Sequence, residues 1–439
     1  MLKIRKPGKK EHTNKLKYLI LNNSFRSREV PRKNPVVCNW VCNHNFDLSW
    51  VNICTLLYIC VKFNLNLKYN IVHSSLNFSL VTIMITKPQV FEFLKKYDLK
   101  NITIATVCSH SSLQIFDGAR KEGFRTLGIC VGKPPKFYEA FPKAKPDEYI
   151  IVDSYEDIMN KAEELRKKNT IIIPHGSFVA YLGTKSFADM EVPTFGNRAV
   201  LEWESDRDKE REWLLGAGIH MPEKIEDPSV INGPVMVKYH GAKGGKGFFV
   251  AKTYKEFNEL VDRTQKFTIQ EFITGTRYYL HYFYSPIRSE GYTLSKGVLE
   301  LLSMDRRVES NADEIFRLGS PRELIEADIR PTYVVTGNVP LVARESLLPL
   351  IFSLGERVVE ESLDLFGGMI GAFCLETVFT DSLEIKVFEI SARIVAGTNL
   401  YISGSPYADL MQESLSTGRR IAQEIKIAVQ TNQLDKIIS

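Results

Sequence analysis

Two segments far apart in the chain combine residue types that suit a polyphosphate and its metal ion. The first, residues 237–248, places four glycines among three lysines. Backbone N–H groups of glycines can approach phosphate oxygens closely because no Cβ blocks them, and lysines supply the countercharge. The lysines are Lys238, Lys243 and Lys246, and the glycines are Gly241, Gly244, Gly245 and Gly247. We therefore predict that this segment holds a polyphosphate.

The second segment, residues 375–393, carries two glutamates that could hold the metal. Its alternating pattern predicts two short strands around Asp381 and Ser382. Glu376 and Glu389 are equally far from a pairing centre between Ser382 and Leu383, so they should face each other across a hairpin. Directly opposed like charges on strands are destabilising. A shared divalent cation with oxygen ligands explains the pair most simply. The other interpretation is a pair of solvated carboxylates, and their apolar neighbours argue against it.

The basic excess of the chain lies in its first 83 residues. This segment holds 13 of the 57 Lys and Arg residues and three of the 52 Asp and Glu residues, which leaves 44 basic and 49 acidic residues beyond it. Its uncharged stretch, residues 48–61, is shorter than the roughly 18 residues that a membrane span needs. The acidic remainder argues against a nucleic-acid-binding protein. The sequence therefore predicts neither a nucleic-acid nor a membrane partner.

We expect residues 1–83 to be an upstream extension that is not part of the native protein or is disordered. The segment shows neither helical nor strand periodicity, and no methionine occurs between Met1 and Met84. Intact-mass or N-terminal analysis of the native protein is expected to find Met84 as the first residue. Peptides from residues 1–83 in that protein would contradict this expectation.

Residues 84–203 carry the pattern of a mostly parallel α/β domain, in which short apolar strands alternate with helices. Ligands of such sheets bind at the carboxyl ends of the strands. Two loops rich in Ser and His fall there, residues 108–112 and 174–177. The first loop opens a helix, so its hydroxyls and free N–H groups suit either an anion or a helix cap. His110 also has two interpretations: it could bind a ligand, or it could make a structural hydrogen bond.

From about residue 204 onward the pattern changes to an α+β domain with strands and hairpins. The pattern of residues 203–215 predicts one helix. Strand candidates border the glycine-rich segment on both sides. That segment lacks the Gly-Lys-Ser/Thr of a P-loop and the Gly-x-Gly-x-x-Gly fingerprint. We therefore predict a hairpin flap over the phosphates.

These motifs together resemble an ATP-grasp domain, in which ATP lies between two α+β lobes. The residues that carry this resemblance are Lys238, the glycine flap, Gln270, Glu271, Glu376, Glu389 and Arg393. More narrowly, residues 84–439 resemble the archaeal formate-dependent FAICAR synthetases of the PurP family. The motifs behind it include Ser109-His110, Pro174-His-Gly-Ser177, Phe195-Gly-Asn-Arg198, Trp203-Glu-Ser205, Glu309-Ser-Asn311 and Val335-Thr-Gly-Asn-Val-Pro340. We expect a parallel-sheet α/β domain at 84–203 before a two-lobed ATP-grasp domain at 204–439.

The resemblance implies an ATP-dependent carbon–nitrogen ligase of purine (IMP) biosynthesis. Formate, ATP and 5-aminoimidazole-4-carboxamide ribonucleotide (AICAR) would give the formamido nucleotide FAICAR, ADP and phosphate, through formyl phosphate. Implied catalytic residues are Lys238 and Arg393, and the implied metal ligands for Mg²⁺ or Mn²⁺ are Glu376 and Glu389. Implied ATP-binding residues are Lys238, Gly244, Gly245, Gly247, Gln270, Glu271 and Glu309. Implied AICAR-binding residues are His110, Ser177 and Asn338.

The resemblance also implies small-molecule substrates as partners, a cytoplasmic location and a homo-oligomer. Two other functions remain open. Residues 395–397, Val-Ala-Gly, stand where the family pattern can have Asp-Gly-Gly, so a paralogous ATP-grasp carboxylate–amine ligase with another acid or amine is one alternative. A non-catalytic nucleotide-binding regulator is the other, and the intact set of Lys238, Glu376, Glu389 and Arg393 argues against it.

Overall fold

Three β-sheets organise the part of the chain that the computed structural model describes, residues 85–240, 247–310 and 334–439. The predicted extension at residues 1–83 lies outside this part. The strands are β1 (Thr103–Val107), β2 (Arg125–Val131), β3 (Glu148–Val152), β4 (Thr170–Ile172), β5 (Asn232–Tyr239), β6 (Phe248–Thr253), β7 (Phe267–Glu271), β8 (Thr276–Ser285), β9 (Tyr292–Thr293), β10 (Val298–Glu309), β11 (Val335–Pro340), β12 (Gly371–Phe379) and β13 (Ile385–Ser391).

Helices connect and cover these strands. The α-helices are α1 (Lys87–Leu94), α2 (Ser112–Lys121), α3 (Ala162–Lys167), α4 (Thr184–Asp189), α5 (Ala199–Ser205), α6 (Arg207–Gly216), α7 (Tyr254–Leu260), α8 (Leu348–Phe366), α9 (Pro406–Asp409) and α10 (Thr417–Gln430). Shorter 3-10 helices lie at Lys136–Ala140, Glu156–Lys161, Pro228–Val230, Glu345–Leu347, Ala396–Tyr401 and Leu434–Lys436, and a π-helical turn at Phe178–Leu182. Among the described residues, no helix is both long and apolar enough to cross a membrane.

The first sheet is parallel, with the strand order β3-β2-β1-β4. All five residues of β1 and the five central residues of β2 are buried, as expected for a parallel sheet covered on both faces. Because β1 pairs in parallel with both β2 and β4, the carboxyl ends of these strands lie at one edge. The loops at 108–112 and 174–177 therefore meet there, and the predicted parallel α/β arrangement is confirmed.

Helix α2, which follows the loop at 108–112, packs closely against α10 through two glycines. A Cβ on Gly118 would lie 2.2 Å from the backbone nitrogen of Arg419. A Cβ on Gly418 would lie 2.2 Å from the carbonyl oxygen of Gln114. The two backbones approach this closely because neither glycine carries a side chain. This contact fixes the start of α2 beside the loop.

The second sheet, β6-β5-β7, is small and antiparallel and has its own apolar core. Val237 and Phe257 are fully buried in this core. Strands β5 and β6 border the glycine flap as an antiparallel pair, as predicted, and Lys238 lies opposite Phe248. The position of Lys238 is therefore set by strand pairing.

The third sheet is antiparallel and runs β11-β10-β8-β12-β13, with β9 beside β10. Helix α8 packs its apolar face, which includes Ile351 and Val358, against β8 and β10 of this sheet. Strands β12 and β13 form the predicted hairpin, and Glu376 pairs with Glu389 in register. The predicted succession of a parallel sheet and antiparallel sheets is therefore confirmed.

The single helix predicted at residues 203–215 is wrong, because the structure has two helices, α5 and α6. Asp206 between them has an extended backbone, with φ −96° and ψ 113°. Its side chain accepts hydrogen bonds from the backbone N–H groups of Asp208 and Lys209. An aspartate that caps a new helix competes with continuing the previous one. This break makes Arg207 the first residue of α6.

Candidate active site

One cavity of ≈620 Å³ lies between the small sheet, the β12–β13 hairpin and the carboxyl edge of the parallel sheet. Ten of the predicted site residues line it, namely His110, Lys238, Gly247, Gln270, Glu271, Glu309, Asn338, Glu376, Glu389 and Arg393. Ser177 is not among the lining residues, although its neighbour Gly176 is. Gly244 and Gly245 lie outside the described residues. Residues predicted separately thus surround one volume, and their individual roles stay predictions.

Lys238 presents a buried positive charge to this cavity. Its ammonium Nζ lies 5.1 Å from the centroid of the Phe388 ring, within the range of a cation–π contact. Burial lowers the pKa of Lys238 below its ordinary value, and the nearby Glu389 acts against this shift. An anion in the cavity would therefore meet a cation that water screens weakly.

Glu376 and Glu389 face each other in different charge environments. Both oxygens of Glu376 accept hydrogen bonds from Arg307, with Nη2–Oε1 at 2.9 Å and Nη1–Oε2 at 3.2 Å. Burial raises the pKa of Glu376 in spite of that arginine. Burial also acts to raise the pKa of Glu389. The positive charges of Arg207, Lys238 and two further arginines outweigh this effect, so the pKa of Glu389 is lowered. Glu389, whose side chain is 37% exposed, is thus the more accessible and more acidic carboxylate.

This carboxylate pair fits a divalent cation that shares its ligands with a phosphate. Within the described ranges, no group of three or more His, Cys, Asp or Glu side chains is arranged to hold a metal. Mg²⁺ usually takes one or two carboxylates together with substrate phosphates. Two opposed carboxylates beside a buried lysine therefore fit a nucleotide-bound Mg²⁺ or Mn²⁺ better than a metal held by protein side chains alone.

Arg207 is a cavity residue that the sequence patterns did not single out. Its Nη1 lies 3.6 Å from Oε2 of Glu389 and 3.8 Å from Oε2 of Glu210. Glu210 is buried, and this burial, together with Glu389, raises its pKa well above the ordinary value. Arg207 was missed because a single helix was predicted across the position where α6 begins. An aspartate followed by charged residues, at 206–209, was the available signal for a helix start.

Strand β10 carries three ionisable side chains at alternate positions, and each holds a different partner at the site. Asp305 accepts a hydrogen bond from Asn338, with Nδ2–Oδ2 at 2.7 Å. Arg307 holds Glu376, and Glu309 accepts two hydrogen bonds from an arginine of β8. Residues two apart on a strand share a face. The alternation Asp-x-Arg-x-Glu was therefore a sequence signal for these supporting residues.

Glu271 joins the small sheet to the large one. Both of its carboxylate oxygens lie 2.9 Å from Nζ of Lys386 on β13. This pair connects the end of β7, where Gln270 and Glu271 reach the cavity, to the hairpin that carries Glu389. The carboxylate of Glu271 thus already has a partner within the protein.

Arg393 follows β13 and is oriented by a buried carboxylate. Its Nη2 lies 3.0 Å from Oε1 of Glu204, and Oε2 of Glu204 accepts the backbone N–H of Ala392 at 2.9 Å. Burial raises the pKa of Glu204, and Arg393 opposes this shift. A Cβ on Gly176 would lie 3.6 Å from Cζ of Arg393, so the guanidinium is next to the loop at 174–177. Glu204 therefore holds Arg393 between the hairpin and the parallel sheet.

Hydrogen bonds tie the two loops of the parallel sheet together. The hydroxyl of Ser177 donates to Oγ of Ser109 at 2.9 Å. Behind them, Nε2 of the fully buried His175 donates to the carbonyl of Val107 at 3.0 Å, and burial lowers the pKa of His175 to about 3. The ring of His110 lies 6.0 Å from that of His175, and burial, with the charge of a neighbouring arginine, lowers the pKa of His110 as well. Both imidazoles are therefore neutral at neutral pH.

The start of α2 has the features of an anion site. Ser111 precedes α2, but its side chain makes no capping hydrogen bond. Ser111 is 0% exposed, and within the described part of the chain its Oγ has no hydrogen-bond partner. The first N–H groups of a helix lack intrahelical partners and attract anions. Side-chain capping by Ser111 is thus not realised, and the anion alternative stays a prediction.

Two family models and a curated relative match this chain. Residues 104–225 match the family described as "Protein of unknown function (DUF1246)", and residues 251–439 match "Domain of unknown function (DUF1297)". A 5-formaminoimidazole-4-carboxamide-1-(beta)-D-ribofuranosyl 5'-monophosphate synthetase of Methanosarcina acetivorans is 92% identical over 356 residues, which cover 81% of this chain and 100% of that relative.

Two solved structures resemble the chain as well. An IMP biosynthesis protein PurP from Thermococcus kodakaraensis has a TM-score of 0.61 and 31% identity, with 76% of this chain and 100% of that chain covered. N5-carboxyaminoimidazole ribonucleotide synthetase from Thermotoga maritima has a TM-score of 0.51 and 16% identity, with 74% and 76% covered, a likeness that concerns the fold alone. The predicted ATP-grasp fold and the resemblance are confirmed. The chain belongs to the family of 5-formaminoimidazole-4-carboxamide-1-(beta)-D-ribofuranosyl 5'-monophosphate synthetases.

Proposed function

We propose that this protein formylates AICAR with formate and ATP, releasing FAICAR, ADP and phosphate, as a step of purine (IMP) biosynthesis. The observation that carries the proposal is one cavity that joins Lys238, the Glu376/Glu389 pair and Arg393 to His110 and Asn338. The residues proposed to bind the phosphates and those proposed to bind the substrate thus line one volume. The name of the relatives at 90% identity or more supplies the substrate class.

The chemistry requires activation of formate, because a carboxylate is a poor electrophile. One formate oxygen would attack the γ-phosphorus of ATP, and the bond to the bridging oxygen of ADP would break. The amine of AICAR would then attack the formyl carbon and lose a proton, and phosphate would leave with that formate oxygen. Such steps need positioning and neutralisation of charge more than a protein nucleophile.

Lys238 and the flap glycines Gly244, Gly245 and Gly247 are proposed to bind the phosphates of ATP. The buried ammonium of Lys238 supports this role, since it faces the cavity from a fixed strand position. Gln270, Glu271 and Glu309 are proposed to bind the rest of ATP at the same wall. Glu376 and Glu389 would hold Mg²⁺ or Mn²⁺, which would neutralise phosphate charge during transfer.

The nucleotide is proposed to bind at the carboxyl edge of the parallel sheet. The start of α2, which closely follows the cavity-lining His110, would take the 5'-phosphate. His110, in the loop after β1, and Asn338, on β11, both line the cavity and would contact the base and ribose. Ser177 is proposed to help bind the nucleotide at this edge, where its hydroxyl donates a hydrogen bond to Ser109 in the neighbouring loop. The homo-oligomer and the cytoplasmic location remain predictions.

Arg393 is proposed to offset charge on the formyl phosphate, with Glu204 as its positioning residue. Glu204→Gln should lower kcat by roughly 10- to 100-fold, because the amide retains the shape but not the charge that orients the guanidinium. Steady-state assays with each substrate varied would measure the effect. Glu202→Gln on the same helix is the matched control, since Glu202 is exposed and does not line the cavity. Equal kcat values for the two variants would contradict the role of Glu204.

The proposed reaction is tested by incubating the full-length protein with ATP, Mg²⁺, formate and AICAR. FAICAR and ADP are expected in equal amounts, and omission of any one substrate should stop FAICAR formation. ADP release that depends on a larger carboxylic acid or a different amine would instead indicate a paralogous ligase. Binding of ATP without any turnover would indicate a regulator.

A further inference from the structure

A buried aspartate behind the cavity wall determines which end of a neighbouring amide faces the cavity. Asn338 lines the cavity on β11, and its Nδ2 lies 2.7 Å from Oδ2 of Asp305 on β10. Asp305 is 0% exposed and is not one of the lining residues. Asp305 therefore lies behind the lining residues, and Asn338 is the lining side chain to which it is hydrogen-bonded.

The contacts of Asp305 fix the direction of this hydrogen bond. Its other oxygen, Oδ1, is hydrogen-bonded to Nε2 of the buried His281. Carboxylate oxygens accept hydrogen bonds, and Nδ2 of Asn338 is a donor. The contact between them therefore runs from Asn338 to Asp305. The amide oxygen of Asn338 is the end that remains for the cavity.

The surrounding backbone leaves this carboxylate little freedom. A Cβ on Gly397 would lie 2.4 Å from Oδ1 of Asp305 and 3.0 Å from Cε1 of His281. The backbone at Gly397, itself part of the cavity wall, thus lies directly over the Asp305–His281 pair. Because the carboxylate is enclosed on this side and bonded through both oxygens, it provides a fixed acceptor for Asn338.

We propose that Asp305 is a positioning residue that holds the Asn338 amide with its oxygen toward the cavity, so that the site selects a nucleotide offering an N–H donor there. AICAR carries such donors in its aromatic amine and its primary carboxamide. The proposal rests on the proposed function, and it adds a specificity role for Asp305. A site built to hydrogen-bond a donor discriminates strongly against a ligand that cannot supply one.

Asp305→Asn reverses this arrangement while keeping the shape of the side chain. With His281 still hydrogen-bonded to Oδ1, the new Nδ2 group takes the place of Oδ2 and donates toward residue 338. Asn338 then has to turn its oxygen inward and its NH₂ group toward the cavity. The Kd and the KM for AICAR are expected to rise by about tenfold or more. The KM for ATP should remain near the wild-type value.

The double variant Asp305→Asn with Asn338→Asp distinguishes an effect of hydrogen-bond direction from a loss of packing at residue 305. It exchanges donor and acceptor within the pair, keeps the total charge, and again presents an oxygen to the cavity. Its Kd for AICAR should fall from the value of Asp305→Asn back toward the wild-type value, which a loss of packing at residue 305 would not allow. This variant also keeps the proposal testable if the single variant fails to fold.

Calorimetric titration with AICAR and steady-state kinetics on the full-length wild type and both variants test the proposal. A selective rise of the AICAR constants in Asp305→Asn, with recovery in the double variant, supports it. Wild-type constants in the single variant, or no recovery in the double variant, overturn it while leaving the proposed function intact. A wild type that neither binds nor formylates AICAR would remove the proposed function and this inference together.

Discussion

Replacing Glu389 by Gln is expected to lower formate-dependent ADP release by about 10³-fold. The substitution keeps the size of the side chain but removes the more acidic carboxylate of the pair. Glu376, the other proposed metal ligand, is held by Arg307 through both oxygens, so it would not replace Glu389. ADP formation measured over a range of Mg²⁺ concentrations would quantify the loss. Thermal unfolding should show a largely intact fold, because glutamine keeps the size of the side chain, while the lost attraction to Arg207 and Lys238 should lower the melting temperature.

Glu384→Gln is the matched control for this prediction. Glu384 directly precedes β13, its carboxylate contacts His220, and it does not line the cavity. Its substitution changes the same charge on the same hairpin and should leave turnover near the wild-type rate. Wild-type turnover in Glu389→Gln would refute the metal assignment.

Lys238→Met is expected to reduce kcat/KM for ATP by about 10²- to 10³-fold. Methionine can retain the packing against Phe388, but it removes the buried positive charge proposed to meet the phosphates. The melting temperature is expected to stay close to the wild-type value, since burial already disfavours the charged form of Lys238. Initial rates over a range of ATP concentrations, with formate and AICAR saturating, would measure the change.

Lys252→Met serves as the control for Lys238→Met. Lys252 lies on β6, the strand paired with β5, and it is exposed and outside the cavity. Its substitution removes a positive charge from the same small sheet and should leave the kinetics with ATP unchanged. A similar loss in both variants would attribute the effect to general charge, and a wild-type kcat/KM in Lys238→Met would contradict the phosphate role.

Local patterns predicted two of the elements that carry the site, the β12–β13 hairpin and the parallel sheet. The alternation around Asp381 and Ser382 predicted the hairpin in which Glu376 pairs with Glu389, and a β-bulge between Glu376 and Thr377 sets their final register. The apolar strands between helices predicted the parallel sheet, since buried parallel strands are continuously apolar. The motif resemblance added the roles, which neither periodicity nor spacing provides.

The supporting residues were harder to predict, because their contacts join distant parts of the chain. Glu204 meets Arg393 across 189 positions of sequence, and Arg307 meets Glu376 across 69. Neither contact follows from local periodicity. Arg207 was missed for a local reason, since the cap at Asp206 ended a helix that periodicity alone would continue.

The fate of the formate oxygens tests the proposed reaction most directly. The full-length protein would be supplied with ATP, Mg²⁺, AICAR and formate labelled with ¹⁸O in both positions, and the products analysed by mass spectrometry. If formate is activated by phosphoryl transfer, each phosphate released should carry one ¹⁸O atom and the formyl group of FAICAR the other. FAICAR and ADP formed together with unlabelled phosphate, or the absence of FAICAR, would contradict the proposal.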